Sequence, residues 1–120
     1  MQLPGSLGVA TILVAATARL CLAGGDMTDD DRAILTEDGT PGDPEYGAYL
    51  VEECSSCHAV EGSDGVPPIT GIEPAYFRLA MDEYVNGERD NAAMKSVALS
   101  LGDEEQAALA AYFATLQEQD

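Results

Sequence analysis

Apolar positions are unevenly distributed along this chain. Residues 7–18, LGVATILVAATA, form an almost unbroken apolar run without charge. Residues 24–42, GGDMTDDDRAILTEDGTPG, are rich in Gly and Asp and show no sustained apolar period. Three helical patterns follow. The first starts at Asp43-Pro44, a capping side chain with proline in the first turn, and runs to about Glu53. Tyr46, Tyr49 and Leu50 lie along one side of it, and Gly47 leaves a flat spot. The second begins near Glu73-Pro74 and stops at Asn86-Gly87, a helix-ending pair. Phe77, Ala80, Met81, Tyr84 and Val85 recur at helical spacing within it. In the third, Gly102 precedes Asp103, Glu104 and Glu105, acids that favour the positive end of a helix, and Leu109, Tyr112, Phe113 and Leu116 form its apolar stripe. Between the first two patterns lies GSDGVPPITG, a Gly/Pro loop. No segment alternates as a strand does and none repeats, so the expected class is all-α.

Composition divides the chain further. The apolar run of residues 7–18 falls short of the roughly 20 residues needed to cross a bilayer, and small residues follow it. It reads as a signal peptide spanning 1–23, cleaved after Ala23 rather than after Ala18, because the earlier cut would leave Leu20 and Leu22 at a free terminus. Arg19 and Leu20 are poor neighbours for a lipid-anchored Cys21. Residues 24–42 then read as a flexible acidic leader, and 43–120 as the single compact domain. After cleavage the chain holds four basic side chains (Arg32, Arg78, Arg89, Lys95) against 22 acidic ones, a formal charge of −18. Nucleic acid and anionic membrane surfaces are excluded as partners by that balance, and a protein with a basic docking surface is favoured. A domain this small buries little core and often needs a staple. With Cys54 and Cys57 the only cysteines outside the leader peptide, a disulfide framework is not available, and a cofactor is the natural substitute.

ECSSCHAV, residues 53–60, supplies the candidate chemistry. It contains the chain's only histidine and two of its three cysteines. Cys54-Ser55-Ser56-Cys57-His58 has the spacing for covalent attachment of haem c. Each thiol adds across one vinyl group, and the next residue falls where its imidazole can reach the iron. That attachment takes place outside the bacterial cytoplasm, in agreement with an exported, periplasmic protein. Structural zinc usually needs four side-chain ligands, and only three are gathered here. A redox dithiol normally adjoins a βαβ unit, and the chain shows none. A second histidine ligand is ruled out by composition, leaving Met27, Met81 and Met94 as candidates for the sixth iron position. Met27 lies in the acidic leader. Met81 shares the apolar stripe of the second helix, where methionine commonly fills core. Met94 follows the helix stop at Asn86-Gly87, on a segment free to fold over the haem, and is the expected ligand.

With these residues in hand, the chain resembles the small monohaem class I c-type cytochromes over about residues 45–117. The marks are YGAYLVEECSSCH, GVPPITG, YVNGERDNAAM and LGDEEQAALAAYFATL. It resembles the cytochrome subunit of flavocytochrome c sulfide dehydrogenases and single domains of dihaem periplasmic cytochromes. The resemblance implies a small fold of three to four helices wrapped around one covalently attached haem c. It implies that the Pro67 carbonyl faces the ring N–H of His58, that Gly47 and Tyr112 mark the crossing of the first and last helices, and that Tyr76 and Arg89 lie near the haem. Ala59 and Gly102 depart from the family pattern without touching a ligand.

The expected function is one-electron transfer rather than catalysis. Axial positions filled by His58 and Met94 leave no place for a substrate, and no second histidine is present for acid–base work. The carrier could act freely or as the electron-transfer subunit of a flavin-dependent sulfide dehydrogenase-type complex. A ligand-binding haem sensor would require an open or labile sixth position.

Overall fold

The computed structural model describes residues 26–59, 62 and 64–117. The expected signal peptide and Cys21 lie outside the described residues. Five helices occur in this part of the chain, with no strand among the described residues: α1 (Asp29–Ala33), α2 (Pro44–Ser55), α3 (Pro74–Asn86), α4 (Ala92–Ser100) and α5 (Asp103–Gln117). The all-α expectation holds, and α2, α3 and α5 coincide with the three periodic segments.

Local chemistry sets the helix ends. Asp43 accepts a hydrogen bond from the Glu45 N–H at 2.9 Å and Pro44 opens α2, so one orphan donor is satisfied and another removed. α3 also opens on proline, but its cap residue Glu73 makes no side-chain bond. Asp30, from α1, accepts the Ala75 N–H at 2.9 Å in its place. At the far end Gly87 takes φ 78°, a left-handed conformation that costs glycine little. Asn91 caps α4.

α5 is the central element. Its Leu109 and Phe113 are buried as the stripe predicts, and Ala107, Ala108, Ala110 and Ala111 are buried as well. Small side chains let its neighbours approach closely on several sides. α2 crosses it at Gly47, where a Cβ would lie 2.1 Å from the Ala108 carbonyl oxygen and 2.8 Å from the Tyr112 Cβ. α3 meets it through Phe77, whose ring stands edge-on to Phe113 with centroids 5.2 Å apart. Met81 is buried in the same core. Val85, which continues the α3 pattern on paper, is 37% exposed and lies outside that core.

Two features differ from the sequence reading. Residues 28–42, expected as an unstructured acidic leader, form a strap against the helices. Thr28 and Asp31 make a capping box, Ala33 is buried, and Ile34 packs on the core. Asp103 accepts the Glu37 N–H at 2.6 Å and pairs with Arg78 at 2.7 Å, tying the strap, α3 and the start of α5 together. Those contacts, the backbone donor first, hold the Asp103 carboxyl below its ordinary pKa. Acids that read as solvated charge therefore serve as hydrogen-bond acceptors for backbone, and the apolar segment Ala33-Ile34-Leu35 is too short to show a period. The second difference is α4, a helix that the three periodic segments do not include. Ala98 is its sole buried residue, so it has almost no apolar stripe to read.

Gly47→Ala tests the α2–α5 crossing. Alanine is favoured over glycine inside an exposed helix by about 1 kcal/mol. Here the methyl group would collide with backbone that cannot rotate away, so the sign should reverse. We expect a net loss of about 2 kcal/mol or more, roughly 10 °C in Tm for a domain of this size. A Tm that is unchanged or raised would place the crossing elsewhere.

Candidate functional site

The last turn of α2 carries Cys54, and the chain turns there. The Cys57 and His58 N–H groups both donate to the Cys54 carbonyl, at 3.2 and 2.8 Å. This compact turn brings the two thiols and the imidazole to the end of one helix. Cys54 is half-buried and Cys57 exposed. Burial raises the pKa of the Cys54 thiol.

His58 is oriented from the loop. Its Nδ1 lies 2.6 Å from the Pro67 carbonyl oxygen. A carbonyl only accepts, so Nδ1 carries the proton and donates, and Nε2 of the neutral ring keeps its lone pair. That lone pair faces Met94 Sδ at 3.5 Å. Two atoms with donor lone pairs thus lie close together, an imidazole nitrogen and a thioether sulfur. Met94 sits in the first turn of α4, 36 positions after His58. Met81 is buried at 5% exposure among α3 and α5 side chains, and Met27 is 48% exposed ahead of α1. Of the three candidate methionines, Met94 is the one placed against the histidine.

Tyr76 and Arg89 also come together. Arg89 donates through Nε to Glu83 and through Nη2 to the Tyr76 hydroxyl at 3.2 Å. Its guanidinium carbon lies 5.4 Å from the Tyr76 ring centroid and 5.6 Å from that of Tyr84, within cation–π range. These bonds, the Tyr76 one first, raise the Arg89 pKa further above its already high value. Glu83 and Tyr84 are members that the sequence did not single out. Their positions seven and eight after Tyr76 on one helical face were the available signal. Among the described residues no hydrogen bond or ion pair joins this cluster to His58 or Met94.

The cytochrome c family model matches residues 44–117, well over half of the chain. The chain belongs to the cytochrome c family. It is similar to the thiosulfate dehydrogenase electron acceptor of Stutzerimonas stutzeri (strain A1501), at 31% identity over 102 residues. That match takes in 82% of this chain and 44% of the relative, so the chain spans less than half of that protein's length. It is also similar to the cytochrome subunit of sulfide dehydrogenase from Chlorobaculum tepidum (strain ATCC 49652 / DSM 12025 / NBRC 103806 / TLS). There the identity is 30% over 76 residues, 62% of this chain and 69% of the relative. The protein is a class I c-type cytochrome, of a haem-binding family.

This cytochrome's own residues fit the covalently bound haem c that the family implies. Two thiols precede a histidine whose other ring nitrogen faces a thioether, a donor set suited to haem iron. No three His, Cys, Asp or Glu side chains are grouped to hold a metal ion among the described residues. The buried hydrophobic residues are mostly alanine, with Phe77, Met81, Leu109 and Phe113 the larger ones. Such a core is thin for a domain of this length, and a bound apolar group would complete it.

Proposed function

We propose that this cytochrome is a periplasmic one-electron carrier holding a single haem c between His58 and Met94. The observation that carries the reading is the 3.5 Å approach of Met94 Sδ to His58 Nε2, with the opposite ring nitrogen engaged by Pro67. When bound, haem c supplies the one-electron iron couple. The chain supplies its attachment and surroundings. The Cys54 and Cys57 thiols each give one thioether bond. Pro67 holds the imidazole in the tautomer that leaves Nε2 available, a neighbour's role that also raises ligand basicity. The Met94 thioether favours the reduced state and raises the potential. With His58 and Met94 both holding the haem, no position would remain for a substrate, which would favour outer-sphere transfer. Tyr76 and Arg89, hydrogen-bonded to one another, would lie near the haem as a polar cluster. Export is supported by the apolar run at residues 7–18 and by the chemistry of haem attachment.

A second reading rests on the similarity to a sulfide dehydrogenase cytochrome subunit. In it the same chemistry operates within a stable complex with a catalytic protein. Size-exclusion chromatography of the native protein separates the two, a monomer supporting the free carrier and a larger complex the subunit.

Met94 is tested by the weak sulfur-to-iron band in the deep red of the oxidised protein. Met94→Ala should abolish the band and let the reduced protein bind carbon monoxide, whereas Met81→Leu should leave the band in place. Loss of the band in Met81→Leu would overturn the ligand assignment.

Partner choice is tested by salt. A formal charge of −17 on the whole sequence creates a field that speeds encounter with a basic surface. At about 0.1 M salt the Debye length falls to about 10 Å and much of that field is screened. Electron transfer to a basic acceptor should therefore slow steeply as salt rises, and transfer to an acidic acceptor of similar potential should not. Equal salt dependence for both would refute electrostatic steering.

A further inference from the structure

The first turn of α4 is held by a single side chain, and the group it holds is the backbone of Met94. Met94 is the third residue of the helix, so its N–H is one of the donors that a helix start leaves without an internal partner. Asn91 Oδ1 accepts that N–H at 2.9 Å, from an extended backbone at φ −156° and ψ 111°. Within this turn, only the part-buried Met94 side chain packs against the core. Ala92 and Ala93 are exposed, and the buried anchor of α4 is Ala98, a full turn beyond Met94. A helical Cβ leans toward the helix N-terminus, so the direction of the Met94 side chain depends on the turn that Asn91 closes.

Upstream, the connection is already fixed. The Glu88 and Arg89 N–H groups both donate to the Glu83 carbonyl, at 2.8 and 3.2 Å, and the Arg89 side chain binds Glu83 and Tyr76. Rigidity therefore extends from α3 to Arg89. From there to Met94, the Asn91 side chain is what continues it.

We propose that Asn91 is the positioning residue for the Met94 thioether: its side-chain oxygen holds the Met94 backbone so that Sδ stays opposite His58 Nε2. This rests on the reading of Met94 as an axial ligand. Without the cap, the first turn frays and takes the thioether away from its place more often. Replacing an Asn cap by Ala shifts a helix-start equilibrium by about 2- to 30-fold, with about fivefold as the typical value.

The test is the rate at which cyanide binds the oxidised holoprotein, followed together with the deep-red band. Asn91→Ala should speed binding about fivefold with the haem content unchanged. Asn91→Ser, which offers an equivalent oxygen, should restore the slow rate, and the weaker cap in Asn91→Thr should fall between. The Ser and Thr variants alone decide the matter if the Ala variant does not accumulate. Asp43→Ala removes the corresponding cap from α2, where Asp43 accepts the Glu45 N–H. It should lower Tm but leave the cyanide rate at the wild-type value, which distinguishes positioning from general loss of stability. An Asn91→Ala rate equal to wild type, or an equal acceleration in Asp43→Ala, would overturn the inference while leaving the ligand assignment standing. A wild-type protein without the deep-red band would overturn both.

Discussion

The hydrogen bond from His58 Nδ1 to the Pro67 carbonyl, 2.6 Å long, decides what the only imidazole of the chain can do. It fixes the proton on one nitrogen and aims the other. For the bond to exist, the end of α2 and the Gly/Pro loop must be held at a set separation. α2 is positioned by its crossing with α5 at Gly47, and α3, which follows the loop, is positioned by Phe77 against Phe113. The site thus inherits its geometry from two contacts with α5. Neither contact uses a large polar network, and among the described residues the core holds no buried polar side chain.

The other half of the site arrives by a different route. Met94 is placed by a short helix whose sole buried residue is Ala98; its side chain packs part-buried against the core, and its backbone is held by the Asn91 cap and the hydrogen-bonded turn before it. The two halves therefore have different physical character. The histidine side is built on packed helices, and the methionine side on a polar connection to α3. On the reading proposed above, any rearrangement with redox state would begin on the methionine side.

Much of this was legible in the sequence because it is local. Cys54, Cys57 and His58 declare their chemistry by spacing. Pro44, Pro74 and Gly87 mark helix ends through backbone restrictions that act on the residue itself. The proximity of Pro67 to His58, and of Gly47 to Tyr112, came from resemblance to a family, since nothing in residue spacing shows them. The strap at residues 28–42 was hidden because its ties run to partners far along the chain. Asp30 reaches Ala75, and Asp103 reaches Glu37. A sequence window reads such residues only as charge. The burial of Ala107, Ala108, Ala110 and Ala111 was equally hidden, because alanine is a good helix former inside or outside a core. Asn91 lay three residues before Met94 in plain view as a cap signal, but its meaning depends on Met94 facing His58.

The central claim is that this chain holds one haem covalently through Cys54 and Cys57. The most direct measurement is the mass of the purified native protein before and after acid–acetone extraction, with the peptide containing residues 53–58 located by fragmentation. The account predicts one haem added to the polypeptide mass, retained through extraction and carried on that peptide through both cysteines. Haem lost to the solvent, or a protein with two unmodified thiols, would contradict it.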